Sequence, residues 1–184
     1  MLFSDEKEIK MFGFHQQNAI GKRGEDLFLK KFPQWSANNL AEQCKEPDFK
    51  DAHGRKLELK FDVSERARKD KNGNQLNFFM ETVSNDRKNT PGGVFRAKKE
   101  GVEFFVYMFE NPLRIFVLDV QKTEKRIREL IATNWYRKKR IKNRYYYTEG
   151  YALPISEFSS CMTDLNRKTK QQRALQRLEW GLKK

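Results

Sequence analysis

The sequence predicts an α/β (α+β) fold in which helices flank a mixed central β-sheet of about five strands. Two patterns lead to this prediction. Apolar residues recur at helical spacing in residues 17–32, and they alternate with polar residues between 47 and 63, as in a half-buried strand. The 184 residues suit one compact domain. We therefore expect a single domain over residues 1–184 with one functional site.

Turn residues and changes of periodicity divide the chain into predicted elements. The first predicted elements are a helix at 17–32, a loop at 34–46 and a hairpin, whose first strand covers 47–51 and whose second ends at residue 63. A charged turn region at 64–76, a strand at 77–83 and a short helix opened by Pro91-Gly92-Gly93 follow. The last elements are strands at 103–109 and 114–120 joined by Asn111-Pro112, a helical segment at 121–134, and one or two helices at 155–180.

The charge of the chain favours a nucleic-acid partner. Lys and Arg number 38 against 25 Asp and Glu, giving a net charge of +13 and a pI near 9.7. Such an excess is expected of a protein that neutralises phosphates. On charge alone, a basic protein without this partner is the alternative. No apolar run approaches the roughly 18 residues that a membrane-spanning helix needs, so we expect no membrane association.

The few cysteines and histidines restrict the cellular compartment in which we expect the protein and the kind of metal site it can form. There are 2 cysteines without a CxxC pair, and acidic residues stand near the N-terminus where a signal peptide is apolar. This predicts a reducing, cytoplasmic location, or the host cytoplasm for a viral protein. With 2 histidines, a His-rich metal centre lacks ligands. Any metal is then held by carboxylates, which suit Mg²⁺ or Mn²⁺.

The alternating segment brings charged side chains together. In a strand, Glu58 and Lys60 leave the same face while the apolar residues beside them enter the core. If the hairpin pairs residues whose numbers sum to about 106, Asp48 lies opposite Glu58 on that face. Two carboxylates so placed suit a shared metal ion, with Lys60 beside it. A register shift of one residue would destroy the arrangement.

The triplet acid-x-Lys is a weak signal by itself, because it occurs five times in this lysine-rich chain. The triplet Glu58 to Lys60 stands out through its apolar alternation, the preceding Pro47-Asp48 and the turn between them. The alternative is that Glu58 and Lys60 are ordinary cross-strand charges on a solvated sheet face.

Through Pro47-Asp48, nine intervening residues and Glu58-Leu59-Lys60, the chain resembles the PD-(D/E)xK, or restriction-endonuclease-like, nuclease superfamily. The segment Gly21-Lys22-Arg23-Gly24-Glu25 is similar to the first helix of Holliday-junction resolvase-like members, where an acidic residue joins the site. The resemblance covers about residues 20–120. Residues 121–184 are then a basic C-terminal extension without a matching motif.

The resemblance implies a restriction-endonuclease-like core and a role for each matching residue. Asp48 and Glu58 become ligands of Mg²⁺ or Mn²⁺, with the Leu59 carbonyl as a further ligand. Lys60 becomes the catalytic lysine. Glu25 becomes an auxiliary acid, and its alternative is an ordinary helix acid.

A second set of segments extends the resemblance. Residues 78–81, 91–93 and 104–107 look like the third strand, short helix and fourth strand of phage and plasmid nucleases. Glu81 would then border the site. The alternative is that Glu81 is an exposed strand acid.

Residues 137–147 concentrate basic side chains beside tyrosines, a composition typical of nucleic-acid contacts. The alternative is a solvated basic loop whose tyrosines cover the core. The candidate DNA-binding residues are Arg137, Lys138, Lys139, Arg140, Lys142 and Arg144. A second basic surface is expected on the C-terminal helix, at Lys168, Lys170, Arg173 and Arg177.

Together these features predict a Mg²⁺-dependent DNA endonuclease, either Holliday-junction resolvase-like or from a phage or mobile element. A four-way junction is two-fold symmetric, so the resolvase alternative implies a homodimer. A catalytically inactive DNA-binding protein of replication or repression is the alternative, and it leaves the carboxylate-lysine cluster unexplained. An RNA-cleaving enzyme ranks third, since no residue distinguishes the two sugars.

Overall fold

Three α-helices and ten β-strands occupy the parts of the chain that the computed structural model describes, residues 14–38, 47–64 and 76–165. The helices are α1 (Phe14–Lys31), α2 (Gly93–Lys99) and α3 (Val120–Ala132), and a 3-10 helix covers Ile155–Phe158. The strands are β1 (Trp35–Ala37), β2 (Phe49–Asp51), β3 (Lys56–Ser64), β4 (Asn77–Asn85), β5 (Thr90–Pro91), β6 (Phe104–Asn111), β7 (Arg114–Asp119), β8 (Lys138–Lys142), β9 (Tyr147–Pro154) and β10 (Met162–Asp164).

These strands form two sheets. The first is a mixed six-stranded sheet in the order β1-β2-β3-β6-β7-β10, in which β3 and β6 are parallel. The second is antiparallel, in the order β5-β4-β9-β8. The prediction of one central sheet was wrong for β4, which pairs with β9 rather than joining β3. An apolar run identifies a buried strand but not its pairing partner.

Strand β6 lies at the centre of the molecule and is buried on both faces. Phe105, Tyr107 and Phe109 belong to one apolar cluster, together with residues of β4, β7, β9 and α3. Val106 and Met108 belong to the other, which packs against α1. The continuous apolar run of β6 is the pattern expected of a strand covered on both sides.

The β2-β3 hairpin has the predicted register. Phe49 pairs with Leu57 and Lys50 with Lys56, so the paired numbers sum to 106. The turn is held by the Asp51 carboxylate, which accepts the backbone amides of His53 and Arg55 at 2.9 Å each. Such local acceptance by Asp is a common way of fixing a turn. The register places Glu58, Lys60 and Asp62 on the face of β3 that looks toward the second sheet.

The Tyr107 hydroxyl joins the two sheets. Tyr107 is fully buried in β6, and its hydroxyl donates to the Asp62 carboxylate of β3. The same oxygen accepts the Phe79 amide of β4 at 3.3 Å. Because a buried hydroxyl without partners is costly, this pair of bonds fixes how β4 lies across β3 and β6.

Most of the other predicted elements are confirmed. Helix α1 lies within two or three residues of the predicted 17–32, and α2, α3, β6 and β7 match their predicted segments. The predicted loop at 34–46 was wrong at residues 35–37, which form β1 because Trp35 is buried and this segment pairs with β2. The turn region at 65–75 and the basic residues beyond 165 lie outside the described residues.

Residues 155–165 also differ from the prediction of helices. The structure has a 3-10 helix there, followed by β10, which pairs antiparallel with β7. The chain after residue 121 therefore adds strands to both sheets. Among the described helices, none has the length and apolar character to cross a membrane.

Helix α1 approaches β3 closely at Gly24. A Cβ atom built on Gly24 would lie 2.5 Å from Cγ of Phe61, whereas one on Gly21 would meet nothing within 4 Å. We predict that Gly24→Ala destabilises the protein by about 1–3 kcal/mol through overpacking. Gly21→Ala, in the same helix, should instead stabilise it by up to about 1 kcal/mol. Denaturant unfolding followed by far-UV circular dichroism measures both variants, and equal stabilities would show that this helix-strand contact is wrong.

Candidate active site

A cavity of about 530 Å³ lies where α1 and α2 meet strands of both sheets. The residues that the sequence predicts as catalytic residues, metal ligands or neighbours of the site all line this cavity, and they come from four separate segments of the chain. They are Glu25, Asp48, Glu58, Leu59, Lys60 and Glu81.

Asp48 directly precedes β2 and is held by the edge of β3. Its Oδ2 accepts the Leu59 amide at 2.8 Å. Strand β2 begins only at Phe49, so in the described chain this part of the β3 edge bonds to a carboxylate instead of a strand. Burial raises the pKa of Asp48 from 3.8 to about 6. The Leu59 amide acts to lower this pKa, and the nearby Glu25 carboxylate acts to raise it.

Glu58 is buried, with 6% of its surface exposed, on the adjacent position of β3. One carboxylate oxygen, Oε1, accepts a hydrogen bond from the Arg96 guanidinium of α2. The other oxygen, Oε2, is buried and has no hydrogen-bond partner. Because an unsatisfied buried carboxylate oxygen is costly, this atom marks a position where a cation or donor would be stabilising.

Lys60 and Glu81 form an ion pair across the cavity. The Lys60 ammonium donates to Oε1 of Glu81 at 2.5 Å, which links β3 to β4. Glu81 is therefore a cavity residue and not an exposed strand acid, although β4 belongs to the second sheet. The lysine that the motif identified is held in place by an acid from a different segment.

Glu25 reaches the cavity from α1, one residue after the close approach of Gly24 to Phe61. Its carboxylate is 16% exposed and lies 3.4 Å from the Lys22 ammonium on the same helix. The tight packing of Gly24 against Phe61 fixes the position of Glu25 relative to β3.

Two further glycines bring backbone close to Glu81. A Cβ on Gly92, which caps the N-terminus of α2, would lie 2.7 Å from Cβ of Glu81. A Cβ on Gly150, which pairs with Glu81 in β9, would lie 2.5 Å from the Met80 carbonyl oxygen. Any side chain larger than that of glycine would clash at both positions. The two glycines therefore allow α2 and β9 to pack closely on either side of Glu81.

Arg96 is the main site residue that sequence reasoning missed. It is one of several basic residues in the short α2 segment, and spacing alone did not identify which of them points at Glu58. The hairpin formed by β8 and β9 also lines the cavity unexpectedly, through Ile141, Asn143, Tyr146 and Thr148. These residues carry no motif.

The cavity has the opposite charge to the rest of the chain. When ionised, four carboxylates and two cations line it, giving a net charge of −2 inside a chain of +13. The carboxylates are Glu25, Asp48, Glu58 and Glu81, and the cations are Lys60 and Arg96. A charge deficit of this size suits one divalent cation.

The carboxylate oxygens of the cavity are suitable ligands for a hard cation, but they are not already arranged as a metal-binding site. Within the described residues, no group of three or more His, Cys, Asp and Glu side chains is placed to hold a metal ion. Asp48 nevertheless offers a partly buried carboxylate, and Glu58 offers a buried one whose Oε2 has no partner. Oxygen ligands of this kind fit Mg²⁺ or Mn²⁺.

The predicted DNA-binding residues lie on and around β8, in the turns that flank it and on an edge of the second sheet. All of them are exposed. Lys138 and Arg140 are paired with Glu149 at 3.0 Å, and Arg140 also lies 2.8 Å from Asp86. The remaining four, which do not take part in these pairs, are Arg137, Lys139, Lys142 and Arg144.

Comparison of the chain with known protein-family models, curated protein sequences and solved structures finds no match.

Asp48→Asn tests the electrostatic cost of burying Asp48. The raised pKa means that the folded chain binds a proton more tightly than the unfolded chain, so its stability falls as the pH rises from 3.8 to about 6. The amide retains an acceptor for Leu59 but carries no charge. We predict that, in EDTA at about pH 8, the variant is more stable than wild type by at most about 3 kcal/mol.

Thermal unfolding of both proteins across this pH range measures the effect. The difference in stability should shrink as the pH falls below about 6, where wild-type Asp48 becomes neutral. A difference that does not change with pH, or a variant that is less stable at high pH, would contradict the burial of a charged Asp48.

Proposed function

We propose that this chain is a metal-dependent DNA endonuclease that hydrolyses phosphodiester bonds, with Asp48, Glu58 and Lys60 as its central residues and Glu25 as an auxiliary acid. The observation that carries the proposal is the convergence of these residues in one negatively charged cavity. Glu25 comes from α1, and the other three come from the segments before and within β3.

The finer fold assignment, a restriction-endonuclease-like core, is part of this proposal. It is supported by Glu25 on α1 and by the other three residues on the β2-β3 hairpin, beside the parallel strand β6. Strand β4 is a departure from the expected single sheet.

In this proposal, Asp48 and Glu58 hold Mg²⁺ or Mn²⁺, with the Leu59 carbonyl as the further ligand that the resemblance implies. When bound, the ion supplies positive charge beside the scissile phosphate and acidifies water. The unpartnered Oε2 of Glu58 and the raised pKa of Asp48 support this assignment, because both costs are removed when a cation is near.

Lys60 orients the attacking water and balances the charge that develops on the phosphate. Hydrolysis joins the water oxygen to phosphorus and breaks the bond between phosphorus and the leaving sugar oxygen. The attacking water gives up one proton, and the leaving oxygen takes one up to become a hydroxyl group. The ion pair with Glu81 holds the Lys60 ammonium within the cavity for this purpose. Glu81 is accordingly a positioning residue.

Arg96 has a different role in this proposal, because its guanidinium forms an ion pair with the Glu58 carboxylate that a metal ion would also bind. Its guanidinium must leave Oε1 before Glu58 can bind elsewhere with both oxygens. Arg96 is 40% exposed, so it can turn from Glu58 toward an incoming phosphate, which a guanidinium binds well.

A catalytically inactive DNA-binding protein is the second candidate. The observation that favours it is the ion pair of Glu58 with Arg96, together with the lack of a preformed group of three metal-binding side chains in the described chain. Net charge and the basic β8 strand are sufficient for that function. It gives no reason for a buried oxygen of Glu58 to lack a partner.

Cleavage of supercoiled plasmid and of a synthetic four-way junction distinguishes the two candidates. We predict cutting with Mg²⁺ or Mn²⁺ but not with EDTA, and a loss of about 10²–10⁴-fold in rate for Lys60→Ala and Asp48→Ala. Lys99→Gln, an exposed residue of α2 outside the cavity lining, is the control that should cut normally. Tight, salt-sensitive binding without cutting under any metal would leave only the binding protein. Preference for the junction would favour a resolvase, and with it a homodimer.

Arg96→Gln tests the competition at Glu58. Removing the guanidinium should tighten Mn²⁺ binding about fivefold, since a partly exposed ion pair is worth up to about 1 kcal/mol. Isothermal titration without DNA measures this affinity, and Lys99→Gln again serves as the charge-matched control on the same helix. Unchanged or weaker binding by Arg96→Gln would mean that Arg96 positions Glu58 rather than competing for it.

A further inference from the structure

Two large aromatic side chains are exposed beside β8. Trp135 is 83% exposed just before the strand, and Tyr145 is 61% exposed in the turn after it. Among the described residues, the only other large apolar side chain with such exposure is Leu113, at 41%. The exposed apolar surface of this tryptophan is unfavourable in water, and a bound partner that covered it would stabilise the protein.

The charges around these aromatics define the chemistry of that partner. Four exposed basic residues accompany them, outside the ion pairs formed among the described residues. Lys142 leaves β8 on the face opposite to Lys139 and Ile141, because side chains alternate along a strand. We call the other members of the set the hairpin surface: Trp135, Arg137, Lys139, Arg144 and Tyr145. The Arg144 guanidinium lies 4.9 Å from the centre of the Tyr145 ring. Aromatic rings before and after a row of cations fit a strand of phosphates and unpaired bases, since bases stack on aromatic side chains once they leave the duplex.

The hairpin surface continues into the cavity. Ile141 of β8 and Asn143 of the turn line the cavity, and Thr148 of β9 lies beside them. The Asn143 side chain donates to the Thr148 hydroxyl at 2.9 Å, which holds this rim in shape. A strand bound along the hairpin surface would therefore reach the carboxylates without leaving the protein.

The size of the cavity restricts what can reach those carboxylates. Its volume of about 530 Å³ is typical of a pocket for one small ligand. A duplex, whose major groove alone is about 12 Å wide, is far larger than such a pocket. A single nucleotide unit with its phosphate is of a suitable size. An unpaired strand can place such a unit inside the cavity.

We propose that the hairpin surface binds an unpaired stretch of the DNA strand that is cut, so that the enzyme acts on DNA with a single-stranded segment, such as a flap, a gap or an opened junction. The cleavage part of this inference rests on the proposed function, whereas the binding part does not. Trp135 and Tyr145 stack on bases, and Arg137, Lys139 and Arg144 bind the phosphates between them.

Binding is measured first, by fluorescence anisotropy with a labelled single-stranded oligonucleotide and with its duplex, in EDTA so that no cutting occurs. The double variant Trp135→Ala, Tyr145→Ala should lose at least about tenfold in affinity for the single strand, because stacking contributes strongly per base. Its affinity for the duplex should change less than about twofold, since phosphate contacts remain. Trp135→Phe should retain single-strand binding, and Leu113→Ala should bind as wild type.

Three outcomes would overturn the proposal. These are an equal loss for single strand and duplex, no loss for either, and tighter binding of single-stranded RNA of the same sequence by the same two residues. None of them depends on whether the chain cuts DNA.

Cleavage of a flap substrate and of a blunt duplex in Mg²⁺ then tests the second part. The expected result is faster cutting of the flap, lost in the double aromatic variant but retained in Leu113→Ala. If the binding result holds and no DNA is cut, the proposed nuclease function fails while the hairpin surface stands. If wild type cuts the blunt duplex as fast as the flap, the inference fails and the nuclease proposal stands.

Discussion

The hydrogen bond from the Leu59 amide to the Asp48 carboxylate is the interaction on which the site depends. It exists because β2 begins at Phe49, two residues after the position that would pair with Leu59, so a side chain takes the place of a strand. The bond fixes Asp48 beside Glu58 in a buried position. Burial in turn raises the pKa of Asp48, which makes its negative charge costly and its attraction for a cation strong. One backbone amide thus couples hairpin register, burial and electrostatics.

The cavity and the surface around β8 carry opposite charges. The cavity carries net −2 when its groups are ionised, while the exposed basic residues around β8 are part of a chain with net +13. DNA would be attracted to the positive surface, yet its phosphate would be repelled by the carboxylates of the cavity. In the proposed function, a divalent cation between them would remove this conflict, and Arg96 would turn from Glu58 toward the phosphate. The proposed chemistry thus uses the same carboxylates whose burial is costly.

Much of the site could be predicted from sequence because its geometry is local. Strand alternation puts Glu58 and Lys60 on one face, and the turn at residues 53–54 sets the register that brings Asp48 to them. Arg96 and the second sheet depend instead on long-range packing. Neither the partner of β4 nor the direction of one arginine among the basic residues of α2 is encoded in a short pattern. The 3-10 helix and β10 were missed for the same reason, since the pairing of β10 with β7 overrides local preference.

Anomalous diffraction from crystals grown with Mn²⁺ would show whether Asp48 and Glu58 hold a metal ion. We expect a single strong peak in the cavity within coordination distance of the Asp48 and Glu58 carboxylates, with the Arg96 guanidinium no longer on Glu58. A cavity without a peak at saturating Mn²⁺, with Arg96 still bound to Glu58, would contradict this expectation. The carboxylates would then serve to hold the two sheets together rather than to hold a metal.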